Sequence, residues 1–95
     1  MSAYVVLDIH VTDPYGFNEY KEMAAPTLAM YGGRYIARGG HTERLEGDWE
    51  PHRVVILEFE SIDRARAWLE SPEYRDARMK RHATARTNMI VVEGV

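Results

Sequence analysis

Four short apolar stretches, separated by polar or glycine- and proline-containing segments, each predict a β-strand. The predicted strands are Ala3–Val11, Arg34–Arg38, Arg53–Glu60 and Thr87–Glu93. Because successive side chains of a strand point to opposite faces of a sheet, each strand presents two surfaces. In the first and third strands the more apolar surface is expected to face helices, and it comprises Val5, Leu7, Ile9, Val11, Val55, Leu57 and Phe59.

Two of the intervening segments repeat apolar residues at spacings of three and four, which predicts amphipathic helices. The first begins at Thr12–Pro14, where a capping side chain precedes a proline, and its apolar stripe runs to Tyr31. Pro26 lies inside the stripe and is expected to end or kink the helix just before it. The second helix begins at Ser61 and restarts with a new cap at Ser71–Pro72.

The resulting order β-α-β-β-α-β is the ferredoxin-like split βαβ pattern, an α+β fold with a four-stranded antiparallel sheet. With right-handed crossovers, we expect the first and third strands to be parallel neighbours at its centre. Both helical segments should cover one face of the sheet. At 95 residues the chain is predicted to be one domain, residues 1–95, with a core small enough to benefit from a partner subunit.

The face away from the helices is expected to carry Val6, Val54 and Ile56, together with Ile90 or Val91. Such a face is too apolar to remain in water in a domain of this size. A second copy packed sheet against sheet would cover it. We therefore predict a homodimer that forms a dimeric α+β barrel.

The same face also carries ionisable side chains, namely Asp8 and His10 from the first strand and Glu58 from the third. Asp8 and Glu58 are expected within several ångströms of each other, and two close carboxylates favour proton transfer because repulsion raises one pKa of the pair. These three residues are the candidate catalytic residues. The competing interpretation is a structural ion network, in which Arg34 or Arg38 neutralises the acids.

Four residues are candidates for binding a small molecule. Arg38 precedes a glycine pair on a short strand and could bind a carboxylate through two hydrogen bonds, unless an internal glutamate takes it. Arg34 lies on the same strand. Tyr20 lies on the first helical stripe and either packs there or reaches a ligand, and Trp49 in the polar loop either covers a pocket or packs across the dimer.

Composition excludes several classes of function. The formal net charge is -3 with both signs mixed along the chain, which argues against nucleic acid as a partner. The basic residues between Arg75 and Arg86 share their helix with acids and are interpreted as a solvated face. No cysteine is present, and the four histidines lack metal-ligand spacing, so no thiol or metal chemistry is expected. The first residues resemble neither a signal peptide nor a membrane span, and a cytoplasmic location is predicted.

Four segments, YGGRYIARGG, LEGDW, EFES and SPEY, resemble the domain of unknown function 1330 family of the dimeric α+β barrel superfamily. The resemblance covers nearly the whole chain, although Phe59–Ser61 departs from the usual Phe-Pro-Ser of that family. It implies a ferredoxin-like protomer and a sheet-to-sheet dimer, and it implies no established reaction. Relatives in the superfamily include metal-independent monooxygenases, muconolactone isomerases and chlorite dismutases.

Three functional hypotheses follow. The first is a cofactor-independent enzyme, monooxygenase- or isomerase-like, acting on a small organic acid, lactone or aromatic, with Asp8, His10 or Glu58 moving a proton and Arg38 holding an anionic group. The second is a ligand-binding module, which predicts a pocket without a well-placed acid or base. The third is a structural dimer in which polar residues pair internally and no cavity remains.

Overall fold

The computed structural model describes all 95 residues. They form four strands and three helices in the order β1 (Ala3–Val11), α1 (Pro14–Met30), β2 (Arg34–Arg38), β3 (Arg53–Phe59), α2 (Ile62–Leu69), α3 (Pro72–Thr84) and β4 (Ala85–Glu93). The strands make one antiparallel sheet in the order β2-β3-β1-β4. The predicted ferredoxin-like α+β fold is confirmed, with strand ends that differ from the predicted ones by at most two residues.

Strands β1 and β3 are neighbours but run antiparallel, with Ala3 opposite Phe59 and Ile9 opposite Arg53. The predicted parallel pairing of these two strands was therefore wrong. Each crossover joins strands that are not adjacent, since α1 leads from β1 to β2 past β3, and α2 with α3 leads from β3 to β4 past β1. The parallel partners of each crossover are thus separated by one antiparallel strand.

Helix α1 begins where the sequence predicts, because the Asp13 side chain accepts a hydrogen bond from the Gly16 amide at 3.2 Å. It then continues through Pro26 to Met30, so of the two predicted effects of this proline, an end or a kink, the end was wrong. Thr27 and Leu28, which follow the proline, are both buried against the rest of the protein. Their packing outweighs the one backbone hydrogen bond that a proline removes.

The core lies between the helices and one face of the sheet, here called the inner face. Its largest fully buried side chains include Phe59, Trp68 and Tyr74. The centroid of the Trp68 ring lies 5.5 Å from that of the Phe59 ring and 4.1 Å from that of the Tyr74 ring. The strand residues predicted to face the helices are buried, except Val11, which is half-buried against the same core. No helix has the length and apolar character needed to cross a membrane.

The opposite surface of the sheet, here called the open face, has no helix over it. Val6 lies there between Ile56 of β3 and Ile90 of β4. Ile90 is 63% exposed, whereas Val91 points the other way and packs against the core. The sequence left open whether Ile90 or Val91 of β4 lies on the open face, and the structure places Ile90 there.

Strand β2 contains one extra residue relative to β3. Tyr35 lies opposite Leu57 and Ala37 lies opposite Ile56, so the register shifts at Ile36. Such a β-bulge changes which face the following residues occupy. Arg34 consequently lies on the open face, whereas Arg38, four residues later, lies opposite Val55 on the inner face.

Candidate functional site

The residues predicted to form one site are divided between the two faces of the sheet. Tyr20 and Arg38 line a cavity on the inner face. The open face holds Asp8, His10, Glu58 and Arg34, and Trp49 contacts it from the loop that precedes β3. The predicted acids and the predicted anion-binding arginine therefore do not belong to a single site within one protomer.

On the open face the two predicted carboxylates lie far apart. Asp8 is opposite Val54, whereas Glu58 is opposite Tyr4, four residues further along β1. Four residues of a strand span roughly 13 Å. The expectation that these two carboxylates lie close together was therefore wrong. The alternation of side chains along a strand fixes the face on which a residue lies, but not which residue of the neighbouring strand lies opposite it.

Each of these acids has an internal partner instead. Arg34 donates from its Nε to a Glu58 carboxylate oxygen at 2.6 Å. This hydrogen bond holds the pKa of Glu58 below its ordinary value. Asp8 accepts one hydrogen bond from Trp49 Nε1 at 3.0 Å and another from the His52 amide at 2.8 Å. These contacts agree with the competing interpretation from the sequence, in which the acidic side chains are paired within the protein.

The contacts of Asp8 attach the end of the long loop before β3 to the open face. The His10 ring stacks on the His52 ring with centroids 4.2 Å apart and planes 9° apart. His10 Nδ1 also lies 3.2 Å from a guanidinium nitrogen of Arg86. Trp49 is thus placed beside Asp8 on the open face and does not line the inner cavity.

The inner cavity lies between α1 and the sheet, is partly open to solvent and has a volume of about 30 Å³. This volume has room for about one or two water molecules and is well below the range of small-molecule sites in proteins. A polar depression of about 640 Å³ adjoins it on the outside. Most of the lining of the cavity is apolar, and it comprises Leu7, Ile9, Phe17, Tyr20, Ala24, Leu28, Tyr35, Val55, Leu57 and Trp68, together with Lys21, Arg38 and Arg53. No aspartate, glutamate or histidine lines it.

Three cations, Lys21, Arg38 and Arg53, surround the mouth of this cavity, because the same three residues also line a polar depression outside it. None of them forms an ion pair, although Glu22 borders the same depression. Lys21 and Arg53 are partly buried, and charges in such positions are normally paired, whereas Arg38 is exposed. Unpaired cations around an apolar cavity therefore suit an anionic ligand.

The two arginines are held by aromatic rings of the lining. The guanidinium carbon of Arg38 lies 4.3 Å from the centre of the Tyr35 ring, and that of Arg53 lies 5.7 Å from the centre of the Phe17 ring. Nε of Arg53 is buried and has no hydrogen-bond partner. Both guanidinium groups thus keep their hydrogen-bonding capacity available to a bound anion.

Gly39 makes room for one of these arginines. Its φ angle is +68°, and a Cβ atom at this position would clash with Nη1 of Arg53. Its amide donates to the Val54 carbonyl at 2.8 Å, which holds the turn against β3. A residue other than glycine would strain the backbone and displace the arginine.

The sequence could have indicated one of the two site residues that were missed. Arg53 is two residues before Val55 on the same strand, so its side chain shares the inner face. Lys21 follows Tyr20 directly on α1, but adjacent residues of a helix do not share a face, so no such signal marks it. No sequence signal separates the faces of Arg34 and Arg38, because the bulge at Ile36 has neither a glycine nor a proline to mark it.

The cavity also contains phenol groups. Burial is the main cause that raises the pKa of Tyr20, and it also raises the pKa of Tyr35. Both side chains are therefore protonated at neutral pH and serve as hydrogen-bond donors rather than bases. No group of three or more histidine, aspartate or glutamate side chains has the geometry to hold a metal ion.

These features define a ferredoxin-like α+β protein with a small apolar cavity beneath its first helix and three cations around its mouth. The profile of the family described as "Domain of unknown function (DUF1330)" matches residues 2–95. The chain therefore belongs to this family, which confirms the resemblance seen in the sequence. Comparison with curated proteins finds no match.

Solved structures share the fold at low sequence identity. A protein of unknown function from Rhodopseudomonas palustris superposes with a TM-score of 0.78 at 18% identity, covering 99% of this chain and 82% of that one. SnoaB, a cofactor-independent oxygenase from Streptomyces nogalater, gives 0.69 at 14% identity, covering 99% and 93%. A dimeric ferredoxin-like protein of unknown function from a Jannaschia species gives 0.67 at 15% identity, covering 99% and 100%.

Proposed function

We propose that the mouth of the inner cavity binds a small organic anion whose carboxylate is held by Arg38 and Arg53, with Lys21 nearby. The observation that carries this proposal is the group of three unpaired cations that lines both the apolar cavity and the depression outside it. An internal acid neutralises Arg34 on the open face, yet none neutralises these three. An aromatic carboxylate would place its charge among these cations and the edge of its ring against the apolar opening of the cavity.

The lining favours binding over acid–base catalysis. General acid–base catalysis needs a titratable group that gains and loses a proton near the working pH, and no carboxylate or imidazole lines the cavity. Asp8, His10 and Glu58 remain candidates only for a site that forms between two sheets. The second hypothesis from the sequence, a ligand-binding module, is therefore the better supported one.

Turnover without an acid or base of the protein is a second candidate. SnoaB, whose fold this chain shares, is a cofactor-independent oxygenase. An electron-rich aromatic substrate that reacts with dioxygen by itself would need only a site that orients it, and the mouth of the cavity offers cations beside apolar side chains. Oxygen uptake in the presence of hydroquinones and naphthols tests this candidate, and uptake no faster than in buffer would overturn it.

We also propose that two copies pack their open faces together. The support comes from the exposed Ile90 beside Val6 and Ile56, and from a dimeric protein with the same fold. The inner cavity lies on the other side of the sheet, so each protomer keeps its own site. The predicted cytoplasmic location stays a prediction from the sequence.

Calorimetric titration with benzoate and benzamide tests the binding proposal, because the two probes differ in charge but hardly in shape. We expect benzoate to bind and benzamide to bind far more weakly. Arg38→Gln and Arg53→Gln should each lower benzoate affinity about tenfold to a hundredfold, since a hydrogen bond to a charged group contributes roughly 1.5–3 kcal/mol.

Arg34→Gln is the matched control, because Arg34 lies on the same strand as Arg38 but on the open face. It should leave benzoate affinity unchanged. Equal binding of benzamide, or an equal loss in the control variant, would overturn the proposal.

A further inference from the structure

The three unpaired cations belong to two sides of the depression outside the inner cavity. Helix α1 forms one side with residues spaced three and four apart, which share a face of the helix, namely Asn18, Lys21, Glu22 and Ala25. Arg38, at the end of β2, and Arg53, at the start of β3, come from the sheet. A ligand in the depression therefore meets two arginines from the sheet and a lysine from the helix.

The two arginines are close enough to share one carboxylate. Arg38 lies opposite Val55, and Arg53 is two residues from Val55 on the same strand, so the two arginines are diagonal neighbours. Residues in this relation have Cβ atoms roughly 7–8 Å apart, a distance that two long side chains can close. Because a carboxylate offers about four acceptor positions, it can accept hydrogen bonds from both guanidinium groups at once.

Lys21 is then left without a partner. The depression is bordered by three cations, Lys21, Arg38 and Arg53, and by one acid, Glu22. A single ligand carboxylate therefore leaves one positive charge uncompensated, on the helix side. Glu19, also on α1, pairs with Lys80 at 3.0 Å, whereas Lys21 forms no ion pair.

The positive excess in this depression is opposite in sign to the formal net charge of the whole chain, which is -3. A local field of this kind concentrates anions, and the attraction grows with the number of negative charges that a ligand carries. The depression has a volume of about 640 Å³. This volume suits a ligand that carries two acidic groups on one ring.

We propose that the ligand is an aromatic dicarboxylate. Arg38 and Arg53 hold its first carboxylate, the edge of its ring lies at the opening of the inner cavity, and Lys21 binds its second carboxylate. This inference rests on the proposed binding of a carboxylate by Arg38 and Arg53. It adds a second negative charge to the ligand and makes Lys21 the residue that recognises it.

Calorimetric titration with terephthalate and with its monomethyl ester tests this assignment, because the two probes differ in the charge of one group and little in shape. At neutral pH terephthalate carries two negative charges and the ester carries one. The native protein should bind terephthalate more tightly. Lys21→Gln should lower the ratio of the two affinities about threefold to fivefold, the upper range for an ion pair that is partly screened by water.

Arg75→Gln is the matched control, because Arg75 is an exposed arginine of α3 that forms no ion pair and lies outside the depression. It removes the same charge from the chain as Lys21→Gln does, and it should leave the ratio of affinities unchanged. An equal fall of the ratio in both variants would mean that terephthalate responds only to the net charge of the protein, which would overturn the role of Lys21.

Glu22 provides a change in the opposite direction. This acid borders the depression and follows Lys21 on α1, so it repels a second ligand carboxylate placed there. Glu22→Gln should therefore raise the ratio of affinities about twofold. A purely structural role of Lys21 would give no such opposite response, and a ratio that does not rise would overturn the placement of the second carboxylate beside α1.

Benzoate, which has a single carboxylate, separates the two proposals. If benzoate binding depends on Arg38 and Arg53 while Lys21→Gln leaves the ratio unchanged, this inference is overturned and the proposed function stands. Failure of both benzoate and terephthalate to bind would overturn both.

Discussion

The inner and open faces of the sheet are made by alternate residues of the same strands, yet they differ in whether their charged side chains have partners within the protein. On the open face Glu58 is paired with Arg34, and Asp8 accepts two hydrogen bonds from the loop before β3. Around the inner cavity Arg38 and Arg53 have no acidic partner. The face richer in acids is therefore internally satisfied, and the more apolar face holds the charges that still lack a partner.

The two faces differ because the number of ionisable side chains on a face is not the number that lack an internal partner. Counting ionisable side chains on a face favoured Asp8, His10 and Glu58. Counting unsatisfied ones favours the mouth of the cavity, because a charge with no internal partner in a folded protein requires either solvent or a ligand. Four predictions test the contrast between the faces.

The largest effect is expected from shortening neighbouring residues of β3 that point to different faces. Leu57 is 3% exposed in the core, whereas Ile56 is half-buried on the open face. Leu57→Ala should lower the free energy of unfolding by about 2–5 kcal/mol, the usual loss for a buried leucine. Ile56→Ala should cost less than half as much in the monomer. Urea denaturation at low protein concentration measures both, and equal losses would contradict the assignment of faces.

The next effect concerns assembly. Val6→Lys places a charge in the middle of the apolar open face, where a partner sheet would bury it unpaired at a cost of several kcal/mol. We expect the variant to remain folded and to sediment as a monomer where the native chain sediments as a dimer. Met79→Lys, which changes a residue 61% exposed on α3, is the control and should not alter sedimentation. A dimer that survives Val6→Lys would show that the copies associate elsewhere.

A smaller effect is expected at the glycine pair that follows β2. Gly39→Ala should lower the free energy of unfolding by about 1 kcal/mol because of the positive φ angle, and it should weaken benzoate binding by displacing Arg53. Gly40→Ala is a close control, since nothing lies within 4 Å of a Cβ at that position and its φ is not positive. Chemical denaturation and calorimetry measure the two effects. Similar behaviour of the two variants would contradict the proposed role of Gly39.

The smallest effect is the pH dependence of the open-face ion pair. Hydrogen bonding to Arg34 holds the pKa of Glu58 in the folded chain below its ordinary value of 4.5. The unfolded chain therefore binds a proton first as the pH falls, and the stability that the pair adds above pH 4.5 is lost as the pH drops through the lower folded value.

Unfolding measured from pH 7 to pH 3 should show this loss in the native chain and a shallower dependence in Glu58→Gln. Glu60→Gln, at an exposed position without an ion pair, should retain the native slope. An identical slope in Glu58→Gln would mean that the pair does not stabilise the folded chain.

Much of the fold could be predicted because it depends on local patterns. The caps at Asp13, Ser61 and Ser71 mark the three helix starts, and alternation assigns the inward side of β1 and β3. The offset between strands could not be predicted. Sliding one strand along its neighbour by an even number of residues keeps every side chain on the same face, so alternation alone does not distinguish these offsets. That ambiguity led to the wrong expectation of a close Asp8–Glu58 pair.

The site was less predictable than the fold because its groups meet only after packing. Lys21 belongs to α1 and Arg53 to β3, and their meeting at the mouth of the cavity depends on how the helix packs against the sheet. Arg38 was identified from its place before two glycines, but its position on the inner face depends on an unmarked bulge. Arg53 was missed, although it lies two residues before Val55 on β3 and therefore points to the same inner face.

The bulge at Ile36 has a consequence for how such a site is inherited. Deleting this one codon would restore regular pairing between β2 and β3 and leave Arg38 opposite Val55 on the inner face, because the bulge only accommodates the extra residue. A change that removed the bulge but kept all five residues in regular alternation would instead turn Arg38 to the open face. Descendants of this gene could therefore lose the site through a change in strand pairing, with no substitution in the residues that form it.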